Sequence, residues 1–545
     1  VEAGSAGKSE ETAFPRRGFP FKTAILEVMA MKRWSGCALG ALFAGAVFAA
    51  VEPLVRERGF RSERRRPVVW EPEADRSLLI KNAEVVDVLT GKVLHRRGIL
   101  VEGGKIKDIL TERRAGEVEA DAVIDVRGGY VTPGLINGHC HLLLPVTLDF
   151  SPEVLLSVPR QLERNFEECV THGVTTVRDA GTFPLLMDEY KGRVARGELL
   201  GPRVFSAGSI INAPGGYPSD FLRMPAALAR KWGEFAALPR GESEVREAVR
   251  ESVERGSAFI KTALDHLSLT KGREPLNIFD DAELGALVEE AHSRGLKVSA
   301  HNRFRAGFSR AVEFGLDGLE HVAGDELLAE KEAENFAAAG CFVVPTMQAA
   351  WYSAGVSRED PYLEDPLVRR ALAEREEAIR SDYTSFCEPP VHRSLVRSDK
   401  RYRDPSFFER RGRGGPVFDP SIFTKAVVVG GENVKRLHRA GVLVGCGNDG
   451  GVPMIAPGDL GREIVLMVEV AEMDPLHVLQ AATINNARIL GVEEELGTLD
   501  RGKWADLVVF SGNPLEDIRT VLRPQAVFKE GKLLWTTHAF PVPGT

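Results

Sequence analysis

His139 and His141 flank Cys140 at the end of the apolar run GLINGHCH. Residues two apart on a strand project to the same side, so both imidazoles can aim at one point. His301 ends the run LKVSAH, His321 ends LDGLEH and Asp449 ends GVLVGCGND. Imidazole nitrogens and a carboxylate converging from separate strands form the donor set of a divalent metal site. Each has a plainer reading alone: a strand-end cap for His301, a helix N-cap for Asp449. Their joint position at the ends of separate apolar runs is harder to explain structurally.

Lys261 lies inside the run AFIKTAL. A buried ammonium is costly unless paired, and burial near cations or metal lowers its pKa. A neutral lysine amine can add carbon dioxide to give a carbamate, whose two oxygens can bridge two metals. The plainer alternative is a lysine snorkelling from a strand end.

The elements that must position these groups are legible as a pattern. GLINGHCH, GVTTVRDAG, PRVFSAG, AFIKTAL, LKVSAHN, LDGLEHVAG, GCFVVPTM and GVLVGCGND read as buried parallel strands,. Amphipathic stretches such as DDAELGALVEEAHSRG separate several of them,. Eight such units over 135–491 predict an α/β fold, a (β/α)8 TIM barrel with its chemistry at the C-terminal strand ends. Short runs broken at Thr90-Gly91 and Gly103-Gly104 read as hairpins over 76–134,. A second β-rich segment fills 492–545, so a small composite β-sandwich formed by both chain ends is expected. Roughly 95 residues separate the seventh and eighth runs, and the 350–425 insertion is expected to be a lid over the barrel mouth,.

Of 545 residues, 43% are hydrophobic and 27% charged, enough for a large core, and the net charge of −8 argues against a nucleic-acid surface,. Six widely spaced cysteines with no CxxC pair exclude a zinc ribbon or disulfide framework,. Residues 1–75 read as a leader. A basic start at Lys32-Arg33 precedes its segment 34–51, an apolar stretch with small residues around Val47-Phe48-Ala49, the order of a signal peptide,. That predicts a periplasmic or secreted protein, with membrane contact through this segment only. Arg56, Arg58, Arg61 and Arg64 to Arg66 oppose easy export, and a mis-assigned start would make the protein cytoplasmic,.

PGLINGHCH, GVTTVRDAG, GPRVFSAG, FIKTAL, AHN, LEHVAG, GNDGG and AATINNARILGVEEELGTLDRGKWADLVVF together resemble the urease-type amidohydrolase superfamily. The resemblance covers most of the chain from Ser77 to Trp535. It points to the imidazolonepropionase-like and Xaa-Pro dipeptidase-like branch. It implies two divalent ions, for which zinc suits the ligands best and manganese or iron remain open. It implies a carbamate on Lys261 as the bridging ligand. His139, His141 and Asp449 would hold the more buried ion, and His301 and His321 the other. The implied reaction is hydrolysis of an amide or peptide C–N bond by a metal-activated hydroxide, with Asp449 as proton shuttle. The expected partners are a small-molecule substrate, such as a dipeptide or N-acyl amino acid, and further copies of the chain in a homo-oligomer. Alternatives are a cyclic-amide hydrolase and a non-catalytic binding protein of the same fold. A ring-amine aminohydrolase normally uses one metal and no bridging lysine, so Lys261 speaks against it.

Two departures from the branch pattern bear on the substrate. Asn137 stands where an acidic residue is usual, and Tyr217 replaces a histidine after Gly215-Gly216. Tyr217 is a candidate substrate contact, or packs beside the glycines. His266 is a second candidate, or an exposed loop histidine. Arg178 and Asp179 read as a structural ion pair rather than a carboxylate clamp.

Overall fold

The computed structural model describes residues 77–147, 149, 151–218, 230, 232–268, 275–355, 361–380, 386–402 and 421–537. The signal-like segment 34–51 lies outside them, as does Cys37; the other five cysteines are buried free thiols. No helix among the described residues is long and apolar enough to cross a membrane.

The described chain opens with β1 (Leu78–Asp87), β2 (Lys92–Glu102), β3 (Lys105–Thr111), β4 (Ala122–Asp125) and β5 (Tyr130–Pro133). β1, β2 and β3 pair antiparallel as hairpins, turning where Gly91, Gly103 and Gly104 take positive φ,.

Eight short parallel strands follow, each inside one of the apolar runs. They are β6 (Leu135–Cys140), β7 (Val174–Asp179), β8 (Arg203–Ser206), β9 (Ile260–Ala263), β10 (Val298–His301), β11 (Gly318–Glu320), β12 (Phe342–Val344) and β13 (Leu443–Val444). β6 to β8 form one parallel sheet and β9 to β13 another. No closed barrel of ladders joins the two among the described residues. Isolated hydrogen bonds cross both gaps: Ala258 N to Ser206 O at 2.8 Å on one side, and Gly138 N to Cys446 O at 2.8 Å and Asp449 N to His139 O at 2.9 Å on the other.

Helices link the strands, among them α1 (Pro152–Thr171), α2 (Pro184–Ala195), α3 (Gly241–Glu254), α4 (Asp281–Ser293), α5 (Ala306–Glu313) and α6 (Glu330–Ala338). α4 starts at a capping box, Asp280 accepting from Glu283 N while the Glu283 carboxylate accepts from Asp280 N,. The long interval between β12 and β13 is helical where described: α7 (Met347–Ser353), α8 (Pro366–Arg380), α9 (Pro389–Tyr402) and α10 (Ser421–Arg439). Most of its Arg-, Pro- and Gly-rich stretch, residues 403–420, lies outside the described residues. α11 (Leu460–Glu469) follows β13.

The chain ends with β14 (Leu507–Phe510), β15 (Ala526–Lys529) and β16 (Lys532–Thr536). β14 pairs antiparallel with β5, so both ends of the described chain meet in one eight-stranded sheet, ordered β16-β15-β14-β5-β1-β2-β3 with β4 beside β1. Hydrogen bonding thus makes one sheet of these strands rather than two. Alternation along β14 explains how it serves two cores. Leu507 and Val509 join Leu78, Ile80 and Val131 in a small core, while Val508 and Phe510 reach the main one.

The gap between β6 and the segment after β13 tolerates no side chain at Gly447. An added Cβ would lie 2.5 Å from His139 N and 2.7 Å from Val344 Cγ1. Gly447→Ala is therefore expected to cost about 1–3 kcal/mol in urea unfolding, the range of core overpacking. An unchanged midpoint would mean that this seam spreads freely.

Candidate metal centre

The six side chains singled out from the sequence face one buried region at the C-terminal ends of the parallel strands. His139, His141, Lys261, His301 and His321 are all buried, and Asp449 is nearly so at 13% side-chain exposure. Ligand atoms of His139, His321 and Asp449 lie within 4.8 Å of one another. Asp449 Oδ1 is 3.3 Å from His139 Nε2 and 3.4 Å from His141 Nε2. His301 Nδ1 is 2.8 Å from His321 Nε2.

Each imidazole is held from behind by its other nitrogen. His139 Nδ1 meets Glu320 Oε2 at 2.7 Å, and His141 Nδ1 donates to the Gly181 carbonyl at 2.9 Å. His301 Nε2 meets Asp265 Oδ2 at 3.1 Å, and His321 Nδ1 meets Thr346 Oγ1 at 2.5 Å. A partner on one ring nitrogen fixes the ring and turns the other nitrogen towards the centre, where metal-ligating histidines present a lone pair. The four remaining nitrogens converge.

Burial and charge tune these groups. Burial pulls the His301 imidazolium down to about 4, against the attraction of Asp265. Burial likewise holds His321 well below the usual range, helped by His301. For His141 burial works the same way, yet the hydrogen bond and charge of Asp449 outweigh it and raise its pKa. Burial opposes ionisation of Asp449, but the His139 and His141 rings beside it hold its carboxyl well below the usual carboxylate range.

Lys261 sits on β9, fully buried, with Nζ making no hydrogen bond and 4.0 Å from Glu320 Oε1. Burial lowers its ammonium to about 8. An orphaned Lys261 Nζ and an orphaned His139 Nε2 beside a buried carboxylate are what an interposed cation would satisfy,. The donor set fits a divalent metal.

Three left-handed residues shape the pocket floor: His321 (φ 70°), Thr346 (φ 49°) and Asp449 (φ 57°). Non-glycine residues there are strained by the order of 1–3 kcal/mol each, which surrounding contacts must offset. Behind Thr346, the fully buried Glu463 accepts from Met347 N at 2.8 Å and Gln348 N at 2.7 Å, and burial pushes its carboxyl up to about 8.

Arg178 and Asp179 do not pair, because neighbours on a strand point to opposite faces. Arg178 contacts Glu320 Oε1 at 2.5 Å and Ser299 Oγ at 2.8 Å, and lies 3.6 Å above the Phe259 ring. Asp179 instead accepts from Leu142 N at 2.9 Å, and burial raises its carboxyl to about 6. Asn137 ties β6 to the Asp449 loop, donating to Asn448 Oδ1 and the Pro457 carbonyl at 2.8 Å each. Tyr217 stacks on His301, with centroids 3.8 Å apart at 10°, and lines the cavity over the centre. His266 is exposed, packs on Phe304 and is not among the cavity-lining residues. Sequence reading missed Glu320, Asp265 and Thr346. The signal for the first was a glutamate inside the buried run LDGLEH.

The sequence matches the amidohydrolase family over residues 130–534. The chain belongs to that family. It is 27% identical over 392 residues to an ochratoxinase of Aspergillus niger, spanning 68% of each protein. It is 26% identical over 454 residues to a 5-methylthioadenosine/S-adenosylhomocysteine deaminase of Desulforudis audaxviator, spanning 80% of this chain and 85% of that protein. Among solved structures it resembles a prolidase complexed with N-methylphosphonate-L-proline (TM-score 0.62, 25% identity, 85% of this chain and 100% of that one). It also shares its fold with a Xaa-Pro dipeptidase with bound methionine (TM-score 0.62, 24% identity, 85% and 100%).

Glu320 touches the His139 ring and neutralises two buried cations, so its charge matters more than its shape. Glu320→Gln should weaken metal binding roughly 10–100-fold in a chelator-competition titration. Affinity equal to wild type would show that Glu320 only packs.

Proposed function

We propose that this chain hydrolyses the amide or peptide C–N bond of a small substrate, such as a dipeptide or N-acyl amino acid, with two divalent metal ions. What carries this reading is the convergence of four back-anchored imidazoles on the region of Asp449, beside a buried lysine whose Nζ makes no hydrogen bond. His139, His141 and Asp449 would hold one ion, and His301 and His321 the other. Zinc is the ion best suited to imidazole and carboxylate donors. Lys261 would bridge them as a carbamate. Its lowered pKa leaves a usable fraction of neutral amine, which adds carbon dioxide and releases one proton to give the anionic –NH–COO⁻ group. The two parallel sheets would then curve into one (β/α)8 barrel around the centre, with the end sheet rolled into a sandwich-like cap.

Bound ions would supply Lewis acidity at the scissile carbonyl and a water acidified towards neutral pH. The protein's own part is proton handling and order. Asp449 lies between His139 and His141 and borders the cavity, so its carboxylate is placed to accept a proton from the attacking water and return it to the leaving nitrogen,. The anchored rings keep their free nitrogens aimed without reorganisation. The apolar walls of the cavity exclude competing solvent,.

Metal analysis of freshly purified protein should find close to two divalent ions per chain; a content near zero would sink the two-ion reading. Asp449→Asn should retain most of the metal yet lose at least about 100-fold in kcat. Unchanged turnover would remove Asp449 as the proton carrier.

A further inference from the structure

Thr346 stands where a helix expects its cap. It lies two residues past β12 and directly before α7. A threonine in that position ordinarily has extended backbone and turns its hydroxyl onto an amide of the helix's own first turn. Here it does neither. Its backbone is left-handed (φ 49°, ψ 46°), and its side chain makes no capping bond. The hydroxyl instead meets His321 Nδ1 at 2.5 Å, so the group that would finish the helix serves a ligand candidate.

The cap comes from another helix. Glu463 lies 116 positions after Met347, in the first turn of α11. Its Oε1 accepts from Met347 N at 2.8 Å and its Oε2 from Gln348 N at 2.7 Å. These are the first two amides of α7, which have no partner within their own helix. Asp459, just before α11, holds the same turn by its side chain, accepting from Gln348 Nε2 at 2.5 Å. Glu463, Met347 and Gln348 are all buried, and a buried amide without an acceptor is costly,.

The outside cap and the left-handed threonine depend on each other. A β-branched residue in that region is an outlier that its surroundings must hold. With its first turn fixed by Glu463, α7 does not need the Thr346 hydroxyl and keeps the Thr346 backbone where that hydroxyl reaches the His321 ring. Without Glu463, the least disruptive repair is for Thr346 to turn extended and cap α7 itself. That change withdraws the hydroxyl from His321. We propose that Glu463 is a positioning residue for His321: by capping α7 from α11, it keeps the Thr346 hydroxyl on Nδ1 and so keeps Nε2 turned to the centre. That Nε2 lies 2.8 Å from His301 Nδ1. Glu463 thus acts on the ring only through Thr346. This deepens, and rests on, the metal-hydrolase reading.

The test reads the centre without turnover, by chelator competition for zinc and by the visible spectrum of cobalt(II)-loaded protein. Glu463→Gln keeps the volume but puts an NH2 group where one oxygen accepts. It should weaken the ion at His321 roughly tenfold to a hundredfold, the range for losing a partner behind a ligand. Thr346→Val should do the same and shift the cobalt bands alike, whereas Thr346→Ser keeps the hydroxyl and should retain most of the affinity. In the Thr346→Val background, Glu463→Gln should add almost nothing, because both changes break one chain of contacts. Additive losses, or unchanged affinity in folded Glu463→Gln, overturn the proposal. Should Glu463→Gln fail to fold, Glu463→Asp keeps both oxygens one methylene short and must show the same coupling to Thr346→Val. The expected pattern in a wild-type protein that hydrolyses no amide would uphold the role of Glu463 and reject the amide-hydrolase reading. Wild-type protein that binds no divalent ion would overturn both.

Discussion

The buried carboxylate of Glu320 is the contact on which the centre depends. It meets Arg178 at 2.5 Å and His139 at 2.7 Å, and faces Lys261 at 4.0 Å. Arg178 and Lys261 are both almost wholly excluded from water. An isolated charge in such a place costs several kcal/mol, and breaking a buried pair typically costs about 3–5 kcal/mol. Burial alone would favour a neutral Glu320, but the Arg178 guanidinium holds its carboxyl well below the usual range. The same group therefore stabilises two buried cations and fixes the orientation of a ligand ring. It joins β11 through side chains to β6 and β7 of the other parallel sheet, which the strand ladders leave separate, and to β9 of its own.

A second layer of acceptors surrounds that hub. Gly181, Asp265 and Thr346 do for the other three imidazoles what Glu320 does for His139. Their common effect is to fix ring orientation before any ion arrives, so that binding need not order the ligands. The left-handed backbone at His321, Thr346 and Asp449 is the accompanying strain. Backbone hydrogen bonds hold it in place, His321 N donating to Val344 O at 2.8 Å and Asp449 N to His139 O at 2.9 Å,.

The described part of the insertion is tied to this centre at its root. α7 begins directly after Thr346, its first two amides are held by Glu463, and its Tyr352 borders the cavity. One short helix thus links a histidine ligand candidate to the substrate wall. Changes in the insertion can reach the centre through Thr346 without touching the strands.

The eight parallel strands, the hairpins and the six inward-facing groups were legible in the sequence, because strand periodicity and polar residues closing apolar runs are local signals. Lys261 stood out because a charge inside an apolar run demands an explanation. The pairing of Arg178 was not legible: its acid, Glu320, lies 142 positions away, and the adjacent Asp179 points to the other face,. Asp265 and Thr346 were missed for the same reason, since their partners come from other strands. The single sheet formed by both chain ends was foreseen as a shared unit, but its strand order depends on long-range pairing of β14 with β5. Sequence alone determined which side chains could do chemistry. Only the tertiary structure decided which nitrogen of each histidine faces the centre, because that depends on a partner supplied from elsewhere in the fold.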